Sequence, residues 1–218
     1  MEFKISYRIK VLAECVKECC VLADVGCDHG FVPYLLLRNG VCRKAILIDI
    51  SFKSLNKARK LFLKSGLENH AEFRQGGGLT VLKTDEADFA VIAGLGGVEI
   101  IDILKADDKG VRRFLLQPMK NTRLLREFLV KNNFKLEKDF IIFEKNHFYD
   151  IIVTSKGSDI LTEAELEFGK DNLKNKTKDF IKFLNYKKIQ TEKILNKVNG
   201  KRKEELLNYL KLIESIMK

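Results

Sequence analysis

Four apolar runs of strand length in the first half of the chain each stop at a turn built from glycine or carboxylate. They are Cys20–Asp24, Lys44–Asp49, Ala71–Gln75 and Ala87–Ala93. Three more strand-like runs follow at Arg112–Gln117, Leu136–Glu144 and Phe148–Ser155. Helical patterns over Val32–Asn39, Phe52–Ser65, Val98–Lys105 and Asn121–Asn132 lie between them. Strands alternating with helices predict βαβ units and a parallel sheet, with the functional turns gathered on one edge. The gap around Lys145-Asn146-His147 is too short for a crossover, so the last two strands are expected as an antiparallel hairpin.

The pattern changes near Gly157. Thr162-x-x-Glu165 reads as a capping box that opens a helix. Apolar residues then recur at helical spacing from Leu166 to Val198, pause at Asn199-Gly200, and resume from Leu206 to Met217. One long helix and a second returning antiparallel are expected. The chain thus divides into an α/β domain over 1–157 and a helical, coiled-coil-like hairpin over 158–218. The formal charge is +10, and residues 164–218 carry 14 basic against 8 acidic side chains, more than half of the excess. A basic outer face on the hairpin suits a polyanion, nucleic acid above all.

No apolar window approaches the roughly 18–20 residues that span a bilayer, and Met1-Glu2-Phe3-Lys4 carries no apolar signal core. A cytoplasmic protein is expected. The five cysteines are Cys15, Cys19, Cys20, Cys27 and Cys42. Their number is odd and they form no CxxC pair, so free thiols and no metal site are expected. Cys15 and Cys19, one helical turn apart, read as part of one buried helical face.

The first turn is Asp24-Val25-Gly26-Cys27-Asp28-His29-Gly30. Asp28 stands where a dinucleotide fingerprint needs its second glycine, and a carboxylate there repels a pyrophosphate. S-adenosylmethionine carries no phosphate but an ammonium and a sulfonium, which acidic residues suit. The bland alternative is a tight turn with solvated acids. The second strand ends in Asp49-Ile50, where a carboxylate can accept two hydrogen bonds from a ribose diol. Gly76-Gly77-Gly78 lets the backbone pass close to a flat ring, plausible for adenine; a flexible loop is the alternative. Ala93-Gly94-Leu95-Gly96-Gly97 opens a turn nearly free of side chains beside the transferable methyl. Gln117 can offer an amide to a base edge, and Pro118 fixes the strand exit.

These segments together resemble the bacterial tRNA (adenine-22-N1)-methyltransferases. The matching stretches are Asp24–Pro33, Arg74–Leu79, Ile92–Gly97, Leu115–Pro118 and Tyr149–Ile152. The resemblance implies a Rossmann-like α/β methyltransferase domain with a seven-stranded, mostly parallel sheet and a C-terminal helical hairpin. It also implies S-adenosylmethionine as cofactor and tRNA as substrate. The sequence departs from the family at Gly77, where Asp is usual, and at Met119, where Asn is usual.

On this reading Asp24, Gly26, Cys27, Asp49, Ile50, Gly76, Gly77, Gly78, Ala93 and Gly94 hold the cofactor. Arg8, His29, Gly96, Gly97, Gln117, Pro118 and Tyr149 face the substrate, with His29 equally a helix-opening residue and Tyr149 read rather as filling the core beside the last strand. Asp28 or water takes the proton that leaves the adenine; the rival role of Asp28 is a hydrogen bond to the methionine end. A monomer is expected. Two other readings stand beside this one: a methyltransferase on another RNA or a small molecule, and a non-catalytic RNA-binding module on a degenerate scaffold.

Overall fold

The computed structural model describes residues 3–106 and 108–218; Met1, Glu2 and Asp107 lie outside the described residues. The reading of the first two residues as free of an apolar signal core therefore has no structural counterpart. Seven strands form one sheet in the order β3-β2-β1-β4-β5-β7-β6. They are β1 (Cys19–Val25), β2 (Cys42–Asp49), β3 (Ala71–Gln75), β4 (Phe89–Leu95), β5 (Arg113–Pro118), β6 (Phe134–Glu144) and β7 (His147–Lys156). The first five run parallel, and β7 enters antiparallel between β5 and β6. The expected hairpin is present: Glu144 pairs His147 across Lys145 and Asn146, both at positive φ, as a tight two-residue turn requires.

Helices α1 (Tyr7–Cys15), α2 (Phe31–Arg38), α3 (Phe52–Ser65), α4 (Gly97–Ala106) and α5 (Thr122–Lys131) cover the two faces of the sheet. The central strands are buried on both faces, as their continuous apolar runs require. Helix α1 escaped the sequence reading. Ser6 caps it by accepting from the Ile9 amide, and Val11, Leu12, Ala13 and Cys15 are buried. Cys15 therefore ends a helix while Cys19 opens β1, and the expected shared helical face does not exist. The free-thiol expectation is also corrected. Cys19 and Cys42 face each other in the β1–β2 register and form a disulfide, leaving Cys15, Cys20 and Cys27 as thiols.

The expected long C-terminal helix is three helices, α6 (Glu163–Phe168), α7 (Lys170–Asn175) and α8 (Lys178–Leu195), followed by α9 (Gly200–Met217). The capping box of Thr162 and Glu165 opens α6 as its spacing predicts. Gly169, at φ 84°, breaks the first pair because a Cβ there would lie 2.8 Å from Asp139 and 2.9 Å from Arg126. Those two side chains are buried partners: Arg126 donates to both Asp139 oxygens, to Asp150 and to the Leu166 and Glu167 carbonyls. Thr177 then caps α8. Only α8 and α9 form the hairpin, closed around Phe180, Leu184 and Ile213 and seated on Ile141 and Phe168.

The C-terminal segment also covers the exposed edge of β6. The amides of Leu136, Asp139, Ile141 and Phe143 donate to side chains of Asp159, Asp171, Asn172 and Asp179. An edge strand with free amides invites pairing with other chains, and these side chains occupy it. Among the described residues no helix is long and apolar enough to cross a membrane.

Candidate active site

Two cavities open side by side at the C-terminal ends of β1, β2 and β4. The larger, about 530 Å³, lies among Gly26, Asp49, Ile50, Gly76–Thr80 and the α4 face of Glu99, Asp102 and Ile103. The smaller, about 330 Å³, lies among Arg8, Asp24, Cys27, Asp28, His29, Ala93 and Gly94. Gly26 and Leu95 line both and form the partition.

Asp49 ends β2 with one oxygen accepting from the Ser51 amide at 2.8 Å and the other from the Asp28 amide at 3.1 Å. A carboxylate oxygen has a second lone pair, so both can still accept from a vicinal diol. Asp24 is buried at the end of β1, and burial, then the neighbouring Asp49 charge, pushes its pKa up to about 7. The same surroundings raise the thiol of buried Cys27, led by its desolvation, so it stays neutral and unreactive. Two carboxyls in this position disfavour phosphate and favour a cation.

The glycines divide into two kinds. A Cβ on Gly26 or Gly94 would meet only Leu95 at 3.8 Å or Arg8 at 3.9 Å, so these positions, both at positive φ, leave open room for a ligand. Gly77 has similar space, 3.8 Å from Ile50. By contrast a Cβ on Gly30 would lie 2.6 Å from Leu47, on Gly76 2.2 Å from Val81, and on Gly97 2.7 Å from the Lys120 and Asn121 carbonyls. Those three serve close packing of neighbouring elements. A Cβ on Gly78 would lie 3.2 Å from Ile103, and one on Gly96 3.2 Å from Lys120. Neither Gly96 nor Gly97 lines either cavity.

Asp28 sits in the left-handed region at φ 42° with its carboxylate half exposed at the rim. Its Oδ1 accepts from Lys57 Nζ at 2.8 Å, and Oδ2 lies 3.7 Å from His29 Nε2. The His29 ring stacks on Phe31, 5.5 Å between centroids. Gln117 is fully buried rather than presented to a ligand. Its Oε1 accepts from Arg8, while its Nε2 donates to the Pro118 carbonyl and the Met119 sulfur. Pro118 is likewise buried. Arg8 is the group that reaches the cavity, held by Gln117 and by the Tyr149 ring 5.1 Å below its guanidinium. Tyr149 is half-buried and packs against the core, so it supports Arg8 from beneath.

The sequence reading missed the α4 wall, Glu99, Asp102 and Ile103, although their i, i+3, i+4 spacing marks one helix face. It also missed Thr80, which lies outside the motifs, and Phe31, although that residue lies within the Asp24–Pro33 stretch.

The residue types suit a nucleoside with a cationic tail: Asp49 could take a diol, Gly76–Gly78 a flat ring and Asp24 a cation. A Bacillus subtilis tRNA (adenine(22)-N(1))-methyltransferase is 37% identical over 159 residues, 72% of this chain and 67% of that protein. The crystal structure of the B. subtilis m1A22 tRNA methyltransferase superposes with a TM-score of 0.88 at 30% identity, covering all of both chains. A Mycoplasma capricolum relative, solved with the cofactor product S-adenosyl-homocysteine, superposes with a TM-score of 0.89 at 29% identity, covering 99% of this chain and 100% of that one. Residues 22–218 match the TrmK family, tRNA (adenine(22)-N(1))-methyltransferase, and this chain belongs to that family.

Proposed function

We propose that the chain transfers a methyl group from S-adenosylmethionine to N1 of adenine 22 in tRNA, with the roles divided between the two cavities. The observation that carries the division is the pairing of an acid-and-glycine cradle, Asp49 with Gly26 and Gly77, with a separate cavity topped by Arg8. The adenosine half lies in the larger cavity and the methionine end points at Asp24. S-adenosylmethionine supplies a methyl group activated by its positive sulfur.

Adenine N1 is itself a nucleophile, so the chain needs no general base for the attack. What it must supply is alignment, and positioning of that kind contributes roughly 7–11 kcal/mol. Gly94 and Ala93 leave the approach clear, and Arg8 holds the base from above. N1 lies on the Watson–Crick edge, so the target must be unpaired or turned out of its stack. Asp28 Oδ2, free of the Lys57 contact, accepts the proton released after methylation, or passes it to water. The helical segment 158–218 adds positive charge for the tRNA backbone, and a monomer is sufficient because each site is complete in one chain.

Labelled S-adenosylmethionine, unmodified tRNA with adenine 22 and a matched tRNA with guanine there test the reading. Product on the first tRNA alone is expected. Product on both rejects the site, and product on neither rejects the reaction.

A further inference from the structure

Hairpin β6–β7 and helix α8 enclose a groove of about 490 Å³ that the reaction above leaves unused. That size lies within the range of about 300–1,000 Å³ typical of ligand sites. Its walls are aromatic. Phe143 and Phe148 pair across the hairpin with ring centroids 4.8 Å apart. Phe183 and Tyr186 of α8 approach Phe148 at 5.2 and 5.6 Å. Its rim is basic. Lys182 and Lys187 share that face of α8 through i, i+4 spacing with Tyr186 and Phe183. Lys182 Nζ sits 3.4 Å from the Phe143 centroid and Lys187 Nζ 5.4 Å from that of Phe183. Among the described residues no acidic side chain lines the groove, and Tyr186 is 49% exposed.

The groove and the smaller cavity both draw on the β6–β7 hairpin, the groove through Phe148 and the cavity through Arg8 on the Tyr149 ring. β7 pairs with β5 only as far as Ile152 opposite Leu116, so the hairpin tip overhangs the sheet edge where both cavities open. Glu144 at the tip accepts from the Tyr7 and Arg8 amides at 2.7 and 3.3 Å. Tyr149, next to Phe148, carries Arg8 on its ring. Phe148 and Tyr149, successive residues of β7, face opposite sides of the sheet, Phe148 toward α8 and Tyr149 toward α1, so the groove and the smaller cavity lie on opposite sides of the hairpin.

Exposed rings edged by ammonium groups that make no ion pair among the described residues are the chemistry of single-stranded nucleotide binding, where bases stack on rings and cations take the phosphates. We infer that the groove is a second nucleotide subsite, which holds an unpaired tRNA nucleotide across the β6–β7 hairpin from the target adenine. Its base stacks on Tyr186 and Phe148, and Lys182 and Lys187 leave the rings for its phosphates. The inference rests on tRNA being the substrate.

The chain contains no tryptophan, so Tyr186→Trp installs a single fluorescent reporter at the groove. Unmodified tRNA should quench it. Tyr186→Ala should weaken tRNA binding roughly tenfold, the scale of one lost base–ring stack, and Tyr186→Phe should restore it. Affinity for S-adenosylmethionine should be the same in all three variants. Lys182→Ala should lower the slope of log affinity against log salt by about one phosphate contact.

Wild-type affinity for tRNA in Tyr186→Ala, with methylation intact, overturns the subsite and spares the reaction. Quenching and a binding loss without methylation by the wild type spare the subsite and overturn the reaction. A dimer in the wild type that Tyr186→Ala dissolves, with tRNA affinity unaltered, reassigns the groove to a second copy and overturns the inference.

Discussion

Asp24→Asn separates what this carboxylate costs the fold from what it offers a ligand. Asp24 is 6% exposed, and burial followed by the Asp49 charge raises its pKa from 3.8 to about 7. The folded chain therefore holds the proton more tightly than the unfolded chain. Stability falls as pH rises from the unfolded carboxyl range to about 7, and is level above that. At about 1.4 kcal/mol per pH unit, this group removes about 2 kcal/mol between pH 5.5 and 8.5, because its titration ends near 7. Asn does not titrate. Urea unfolding of both proteins at the two pH values should show the stability gap shifting by about 2 kcal/mol in favour of the variant at the higher pH. Comparing the gaps cancels the packing change of the substitution and the titration of every other group. A gap equal at both pH values refutes the reasoning. The same carboxylate, once ionised, attracts the ammonium of the cofactor. Wild-type affinity for S-adenosylmethionine should therefore rise with pH up to about 7, and calorimetry should find the variant weaker and without that dependence.

Gly77→Asp should be accepted by the fold, since its Cβ has 3.8 Å of clearance. By adding one hydrogen bond it should tighten S-adenosylmethionine binding by about 1 kcal/mol, read by calorimetry; unchanged or weaker binding refutes a ligand beside that position. Arg126→Met should cost about 3–5 kcal/mol by leaving the Asp139 charge buried without its partner, since both side chains are no more than 1% exposed. The urea midpoint measures this, and a loss below about 1 kcal/mol would show that the α5–β6–α6 junction does not depend on the pair.

The central strands of the parallel sheet were legible because a strand buried on both faces must be apolar throughout, and that pattern is local. The hairpin was legible because three residues cannot make a crossover. Helix α1 was missed although Ser6 caps it, because nine residues interrupted by Lys10 and Glu14 carry a weak period. The break at Gly169 was missed because its cause, the Arg126–Asp139 pair, lies 30 and 43 residues away in the chain. The Cys19–Cys42 disulfide depends on β1 lying beside β2 in a particular register, which spacing alone does not reveal.

The site divides the same way. Residue types at the first turn pointed to the chemistry: Asp28 in place of a fingerprint glycine, with Asp24 before it, argues for a cationic nucleoside over a dinucleotide. That reading needs only charge and position in the turn, and both are in the sequence. Whether a glycine is kept small for a ligand or for a neighbour is a different matter. Gly26 and Gly94 face open space, whereas Gly76 and Gly97 face Val81 and a carbonyl pair. In the sequence the four are alike, because a missing side chain records no partner. Likewise Gln117 reads as a base-edge amide until its burial beneath Arg8 transfers that position to the arginine. Local sequence determined which elements form and what charge they bring to the sheet edge. Tertiary packing alone decided which of those groups meet, because contacts between residues distant in the chain depend on the register and approach of whole elements.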